Sequence, residues 1–196
     1  MDQKSHKKTK KIVIFASGNG TNAVNIFNYF SSIDDIEVSH IFSNNRKAKV
    51  LERANTLGIT PVYFDKSALL NSDDILILLD EIKPDLIVLA GFLLKIPQKI
   101  IEAFPHKIIN IHPSLLPKYG GKGMYGSKVH EAVIANKEAK SGISIHYVNP
   151  VYDDGEIVSQ HEIIVTEDDT PDNLADKIHQ LEYTHFPKVI HKILSS

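Results

Sequence analysis

The run Ile108-Ile109-Asn110-Ile111-His112-Pro113 sets a carboxamide and an imidazole two residues apart at the end of an apolar stretch. In a strand, successive side chains leave on opposite sides, so Asn110 and His112 share one side while Ile109 and Ile111 share the other. An amide donor beside an imidazole suits a reaction in which negative charge develops on a carbonyl oxygen. The amide supplies a hydrogen bond, and a protonated ring supplies charge or a proton. A ring charged at neutral pH needs a nearby carboxylate, which favours its charged form. The acidic turn Asp153-Asp154-Gly155 can supply one if its loop folds back on the same edge. Each part also has a plainer reading: His112 as a hydrogen-bonded structural residue, the acidic turn as a solvated one.

A second chemical segment is Ser17-Gly18-Asn19-Gly20-Thr21-Asn22, between an apolar run and a helix-like stretch. Glycines admit turns closed to other residues, and a helix N-terminus offers unpaired N–H groups and partial positive charge, so the segment fits an anion. It also meets the loose dinucleotide pattern G-x-G-x-x-A, but that reading needs an acidic residue about 20 positions on. Ser43-Asn44-Asn45-Arg46 stands there instead, which disfavours NAD. A strand-to-helix turn with no ligand is the plainer alternative.

These groups need elements to bring them to one place. Apolar runs (KIVIFA, IEVSHIF, PVYFD, DLIVLAG, KIINIHP) alternate with helix-like stretches near residues 22–30, 47–57, 73–82 and 97–103. That is βαβ repetition, and LIVLA is apolar without alternation, as in a parallel sheet covered on both faces. After Pro113 come a Gly-rich loop, a helix-like 128–135, two β-rich runs (GISIHYV, EIVSQHEIIV) joined by NPVYDDG, and a final helix from Thr170 or Pro171 to about Leu194. The expected fold is an α/β, open, mostly parallel doubly wound (Rossmann-like) sheet with helices on both faces and a mixed or antiparallel C-terminal extension. Ligands bind such sheets at the C-terminal ends of the strands, the edge that carries both chemical segments.

With 196 residues, 42% of them hydrophobic, the chain is expected to be one domain over residues 1–196, residues 1–10 forming a flexible basic tail. The balance of 22 Lys+Arg against 24 Asp+Glu, net −2, argues against a broad nucleic-acid surface. No stretch approaches the roughly 18 apolar residues of a membrane span, and Ile12 to Ala16 is too short for a secretion signal. Zero Cys removes thiolate chemistry and agrees with a cytoplasmic location. No H-x-H or H-E-x-x-H occurs, and His179, His185 and His191 are spaced by six, off any one helical face, so no metal is expected.

The ordered set SGNGTN, FSNNRKAKVLERA, LAGFLLKIP, NIHPSLLPKYGGKGMYG, SGISIH and DDGEIVSQ resembles the folate-dependent glycinamide ribonucleotide formyltransferases of purine biosynthesis, from about Lys11 to Ile193. The resemblance implies transfer of the formyl group of 10-formyltetrahydrofolate to the amine of glycinamide ribonucleotide. It implies catalytic roles for Asn110, which would hold the formyl oxygen, for His112 as general acid, and for Asp153, which would raise the His112 pKa and orient the ring. Asp153 is preferred to Asp154 because the family's aspartate lies seven positions before the matching Gln160. Gly20, Thr21 and Asn22 match phosphate contacts, and Glu182 matches a carboxylate on the same substrate. Leu93, Leu94, Lys95 and Ile96, together with Asn110, match the folate-binding residues. Where some members carry folate-contacting arginines, Leu94 and the stretch 68–74 hold no basic residue, so no basic folate anchor is carried over. The loop from Tyr119 to Lys128 has the glycines of a mobile lid.

Other readings are a related folate-dependent formyltransferase, a formyltetrahydrofolate hydrolase, an NADP-dependent reductase, or a nucleotide-binding module without chemistry. The transferase acting on tRNA and the hydrolase would each be expected to carry an added domain. The partners expected are glycinamide ribonucleotide and the folate, with neither nucleic acid nor membrane, for a monomer or homodimer.

Overall fold

Among residues 8–196, which the computed structural model describes, the apolar runs become the strands of a seven-stranded sheet. These are β1 (Lys10–Phe15), β2 (Ile36–Ser43), β3 (Thr60–Tyr63), β4 (Leu86–Leu89), β5 (Ile108–His112), β6 (Lys140–Tyr147) and β7 (Ile157–Ile164), in the order β3-β2-β1-β4-β5-β6-β7. The first five are parallel, and β6 and β7 add on antiparallel, as the change of grammar after Pro113 predicts. Of the tail expected over residues 1–10, residues 1–7 lie outside the described residues. Lys10 already belongs to β1, its N–H donating to the Asp35 carbonyl at 2.8 Å.

Burial follows the sequence pattern. All four residues of central β4 are buried, whereas the edge strand β7 alternates between half-buried and exposed positions along most of its length. One face of the sheet is covered by α1 (Thr21–Phe30), α2 (Lys49–Leu57), α6 (Ser127–Ala135) and α7 (Pro171–Ser195), around Ile26, Val50, Val133, Ile178 and Phe186. The other is covered by α3 (Lys66–Leu70), α4 (Asp74–Ile82) and α5 (Gln98–Ala103), around Leu69, Leu79 and Ile100. The short α3 is an element the periodicity does not predict.

Two features position the site. The chain leaves β1 toward β2 and β3, then returns to β4 on the other side of β1, so the loops after β1 and β4 diverge and open a crevice at their C-terminal ends. Helix α7 is anchored by a capping box, in which the Thr170 hydroxyl accepts from the Asn173 N–H and the Asn173 side chain accepts from the Thr170 N–H. Its buried stripe of Leu174, Ile178, Phe186 and Ile190 is apolar except for Glu182, which points a carboxyl group into the protein beside α1.

Candidate active site

Strand β5 delivers Asn110 and His112 to one side of the sheet, while Ile109 and Ile111 enter the core with the α1 and α7 residues. The antiparallel register with β6 then sets His146 opposite Asn110 and Ser144 opposite His112. The His146 Nδ1–H donates to the Tyr147 carbonyl at 2.9 Å, which leaves Nε2 to accept from the Asn110 amide at 3.1 Å. His146 therefore fixes which way the Asn110 amide faces, a contact that residue spacing along one strand does not reveal.

The acidic turn does fold back on this edge. Asp153 stands in the left-handed region, φ 52°, which Asp tolerates better than most residues. Its Oδ2 accepts from the Gly121 N–H at 2.9 Å and lies 3.6 Å from His112 Nδ1. Its Oδ1 lies 3.5 Å from Asn110 Nδ2 and 3.7 Å from His146 Nε2. Asp154 is exposed and meets only Asn149, at 3.3 Å, so of the two acidic residues Asp153 is the one brought to Asn110 and His112. Gly155 lets the turn close: a Cβ there would run into the Tyr147 carbonyl.

His112 is only 4% exposed, and both ring nitrogens face acceptors. Nε2–H donates to the carbonyl of Tyr119 at 2.8 Å, and Nδ1 faces Asp153. Tyr119 is itself left-handed, φ 56°, which aims its carbonyl at the ring. Burial is the largest influence on His112 and pushes its pKa down. Asp153 and the Tyr119 carbonyl push it up, and His146 pushes it down. The net direction is below the ordinary histidine value. Asp153 thus acts in the expected sense without overcoming burial. The Asp153 carboxyl feels burial most as well, which raises its pKa, but His146, His112 and the Gly121 N–H together hold it below the usual aspartate value.

At the other end of the crevice Gly20 forms the N-cap of α1 with φ 72° and no side chain bonded over the helix end. A Cβ at Gly20 would fall inside the Val50 side chain, so the loop seats glycine for both conformation and space. The Ser17 hydroxyl donates to Asn44 Oδ1 at 2.6 Å and accepts from the Leu93 N–H at 3.0 Å. The Asn residues standing where a dinucleotide site keeps an acid therefore brace the first loop. Asn22 Nδ2 donates to Glu182 Oε2 at 2.8 Å. Burial raises the Glu182 pKa, with Asn22 and His179 opposing.

Both ends open into one crevice of about 640 Å³, lined by Gly20, Thr21, Asn22 and Glu182 on one side and Asn110, His112 and Asp153 on the other. Leu93, 56% exposed, lines it too. Leu94, Lys95 and Ile96 line an adjoining recess that shares Phe92, Asn110, Tyr152 and Asp153 with the first crevice and adds His146. The Lys95 ammonium lies over the Tyr152 ring, 5.4 Å from its centroid. Every residue to which the resemblance gives a site role thus lines one or both of two adjoining hollows. His146, the Tyr119 carbonyl and the Gly121 N–H are the site groups that sequence reasoning missed. For His146 a signal existed in its two-residue alternation with Ser144 on a strand beside β5; the other two are backbone atoms.

The profile of the formyl transferase family matches residues 10–190. The chloroplastic phosphoribosylglycinamide formyltransferase of Arabidopsis thaliana is 36% identical over 198 residues, covering 97% of this chain and 68% of that protein. Some relatives are longer still, the chain spanning 60% of a second chloroplastic one. The phosphoribosylglycinamide formyltransferase of Bacillus subtilis (strain 168) is 34% identical over 190 residues, 94% of this chain and 95% of that protein. The crystal structure of phosphoribosylglycinamide formyltransferase from Bacillus halodurans superimposes with a TM-score of 0.86 at 32% identity, covering 95% of this chain and 96% of that one. The architecture, the crevice at the strand ends and these likenesses lead to one conclusion: the chain belongs to the formyl transferase family.

Proposed function

We propose that the chain works as a phosphoribosylglycinamide formyltransferase, moving the formyl group of 10-formyltetrahydrofolate to the amine of glycinamide ribonucleotide. The observation that carries the reading is the meeting of Asn110, His112 and Asp153 at one end of a crevice whose other end is an uncapped helix N-terminus. A phosphorylated amine can lie along that crevice with its phosphate on the α1 N–H groups and its amine at the reacting carbon. The adjoining recess, with Phe92, Leu94 and Val148 in its walls, suits the flat heterocycle of the folate.

In this reading the amine lone pair attacks the formyl carbon, a C–N bond forms, and the bond from that carbon to the folate nitrogen breaks. One proton passes overall from the acceptor amine to the released folate nitrogen. Asn110 supplies a donor to the formyl oxygen: one N–H is held by His146, and the other has only the long 3.5 Å approach to Asp153. His112 is fixed through Nε2, so Nδ1 is its working nitrogen. In the charged ring Nδ1 also carries a proton, and the 3.6 Å gap to Asp153, longer than a hydrogen bond, leaves that proton without a close acceptor and available to the oxyanion. Asp153 favours the charged ring and, through Gly121, ties down the loop over the site.

The test is a spectroscopic assay of folate deformylation with glycinamide ribonucleotide present and absent. Turnover that requires the amine and yields the formylated ribonucleotide is expected. Formate released without the amine would show a hydrolase instead. Among the described residues no helix is long and apolar enough to cross a membrane, and no group of three or more His, Cys, Asp or Glu is placed to hold a metal ion.

A further inference from the structure

His112 presents Nδ1 to the reacting oxygen only while its Nε2–H stays on the Tyr119 carbonyl, 2.8 Å away. That carbonyl belongs to a residue at φ 56°, followed by Gly120 and then by Gly121 at φ 93°. Left-handed backbone is uncommon outside glycine, and a peptide leading into two glycines turns easily, so something must hold Tyr119. The neighbouring peptide groups are tied. The Ser114 hydroxyl donates to the Lys118 carbonyl at 2.7 Å, and the Gly121 N–H donates to Asp153 at 2.9 Å. Neither bond involves the peptide between Tyr119 and Gly120, which carries the carbonyl that His112 uses.

The Tyr119 side chain supplies the missing brace. Its ring packs against the core cluster to which α6 and α7 contribute, but it also borders a hollow of about 350 Å³, so packing alone does not enclose it. Its hydroxyl is held at two points instead, donating to Glu138 Oε1 at 2.9 Å and accepting from the Asn136 amide at 3.0 Å. Glu138 stands in the turn between α6 and β6, where its own N–H donates to the Val133 carbonyl at 3.2 Å. Lys118 Nζ donates to both its carboxylate oxygens, at 2.9 and 3.1 Å, and with the Tyr119 hydroxyl holds the Glu138 pKa below the ordinary glutamate value. Glu138 is therefore a charged acceptor at neutral pH, and charge-assisted hydrogen bonds are the stronger kind. It lines neither the crevice nor the adjoining recess, so its route to the chemistry runs through Tyr119.

We infer that Glu138 is a positioning residue for formyl transfer: through the Tyr119 hydroxyl it holds the Tyr119 carbonyl on His112 Nε2, and so keeps Nδ1 turned to the oxyanion. This inference rests on the reading of the crevice as a formyltransferase site. The groups facing His112 are Asp153 from the acidic turn, His146 from β6 and His130 from α6. Those facing Glu138 are Lys118 and Tyr119, while Lys140, on the same hollow, is paired with Glu162 at 2.7 Å. Burial pushes the His112 pKa down, and Asp153 and then the Tyr119 carbonyl oppose it. A carbonyl that swings away removes one of the two raising influences, so the imidazolium is lost at lower pH.

The experiment is steady-state kinetics across the neutral pH range for Glu138→Ala, Glu138→Gln, Tyr119→Phe and the double variant Tyr119→Phe/Glu138→Ala. It is joined to nitrogen NMR of the His112 ring in the substrate-free enzyme. Glu138→Ala and Tyr119→Phe are each expected to lower kcat about tenfold with both KM values within about twofold of wild type, because a misaimed acid costs transition-state stabilisation rather than binding. The double variant should be no slower than either single one, since both cut the same connection. Glu138→Gln still offers an oxygen to the Tyr119 hydroxyl and should recover most of the loss. The limb of the kcat profile that falls with rising pH should move toward acid in Glu138→Ala and in Tyr119→Phe. In the wild type the neutral ring should carry its proton on Nε2, and in both variants that preference should weaken as Asp153 competes for the proton at Nδ1. An unchanged kcat, losses that multiply in the double variant, an unmoved limb or a ring spectrum like that of wild type would each overturn the inference. Tyr119→Phe removes a single oxygen, so it carries the test even if Glu138→Ala fails to fold. A wild type that does not turn over glycinamide ribonucleotide overturns the formyltransferase reading and this inference with it; turnover with indifferent variants overturns this inference alone.

Discussion

The two ends of the crevice are built on opposite plans. At the reaction end Asn110, His112, His146 and Asp153 meet one another and the backbone of Tyr119, Gly121 and Tyr147, so each is held in place by at least one hydrogen bond within the protein. At the acceptor end the α1 terminus is uncapped, the Asn22 Oδ1 and His130 Nδ1 atoms are buried without partners, and the Glu182 carboxyl sits where burial disfavours its charge. Of the three buried side-chain atoms without partners among the described residues, those two line the crevice, and Ser141 Oγ borders a different hollow. A network that must stabilise a fleeting charge gains from being rigid before substrate binds. A subsite for a charged ligand can leave its polar groups waiting for that ligand to complete them.

The comparison breaks most visibly at the reaction end. Asn110→Ala or His112→Ala should lower kcat by about 10²–10⁴ while calorimetric affinity for the acceptor changes little, because an oxyanion donor or a general acid acts mainly in the transition state. A His112→Ala enzyme with near wild-type kcat would remove the role given to that ring.

Asp153→Asn comes next, with a kcat loss of about 10–100-fold at pH 7.5. Its sign can be worked out from the site. The carboxylate is a raising influence on a ring whose pKa already lies below the ordinary value. Without it the imidazolium is lost at still lower pH, and the limb of the kcat profile that falls with rising pH must move toward acid. The asparagine oxygen can still accept from Gly121, so the loop stays tied. A loss of rate with the limb unmoved would mean that Asp153 works by holding the loop rather than by tuning His112.

The sequence makes the two ends legible to different degrees. Alternation within KIINIH is enough to place Asn110 and His112 side by side, and the Gly-rich turn before an amphipathic stretch is enough to place an anion site. The apolar runs mark all seven strands, and the helix expected from residue 22 begins at Thr21. What escapes is set by partners far along the chain. His146 reaches Asn110 through the β5–β6 register: its alternation with Ser144 tells which side of the strand it faces, not which residue it meets. Tyr119 and Gly121 act through backbone atoms, which residue type does not reveal. The depressed His112 pKa reflects burial, a property of the finished fold. Helix α3 has five residues, too few for a period to show, although Asp65 caps it by accepting from the Ala68 N–H at 2.8 Å.

At the acceptor end, Gly20→Ala tests whether the cradle is a matter of backbone. Alanine at φ 72° costs about 1–2 kcal/mol, and its Cβ also overlaps Val50. The expected result is a melting temperature lower by several degrees and a raised KM for the acceptor, with the folate KM unmoved. Adding Val50→Ala should return part of the stability by making room, but not the affinity, since the left-handed turn that aims the α1 N–H groups is still strained.

Glu182→Gln gives the smallest effect and the one that separates the two plans most directly. A carboxyl whose folded pKa lies above its unfolded value holds its proton more tightly in the native state. Its contribution is therefore most favourable below the unfolded value, about 4.3, and is lost as the pH rises through the folded one. Once the pH has passed the folded value glutamate is a burden, and glutamine, which can still accept from Asn22, is not. The variant should melt about 2–4 °C higher than wild type at pH 7, the shift that about 1 kcal/mol makes in a domain of this size, with the gain fading toward pH 4. The same change should weaken acceptor binding. At the reaction end Asp153→Asn should do the opposite and lower the melting temperature at pH 7, since the Asp153 carboxylate is held ionised by its neighbours. If both variants lose stability at pH 7, Asn22 and His179 outweigh burial at Glu182, and the acceptor end is as self-sufficient as the reaction end.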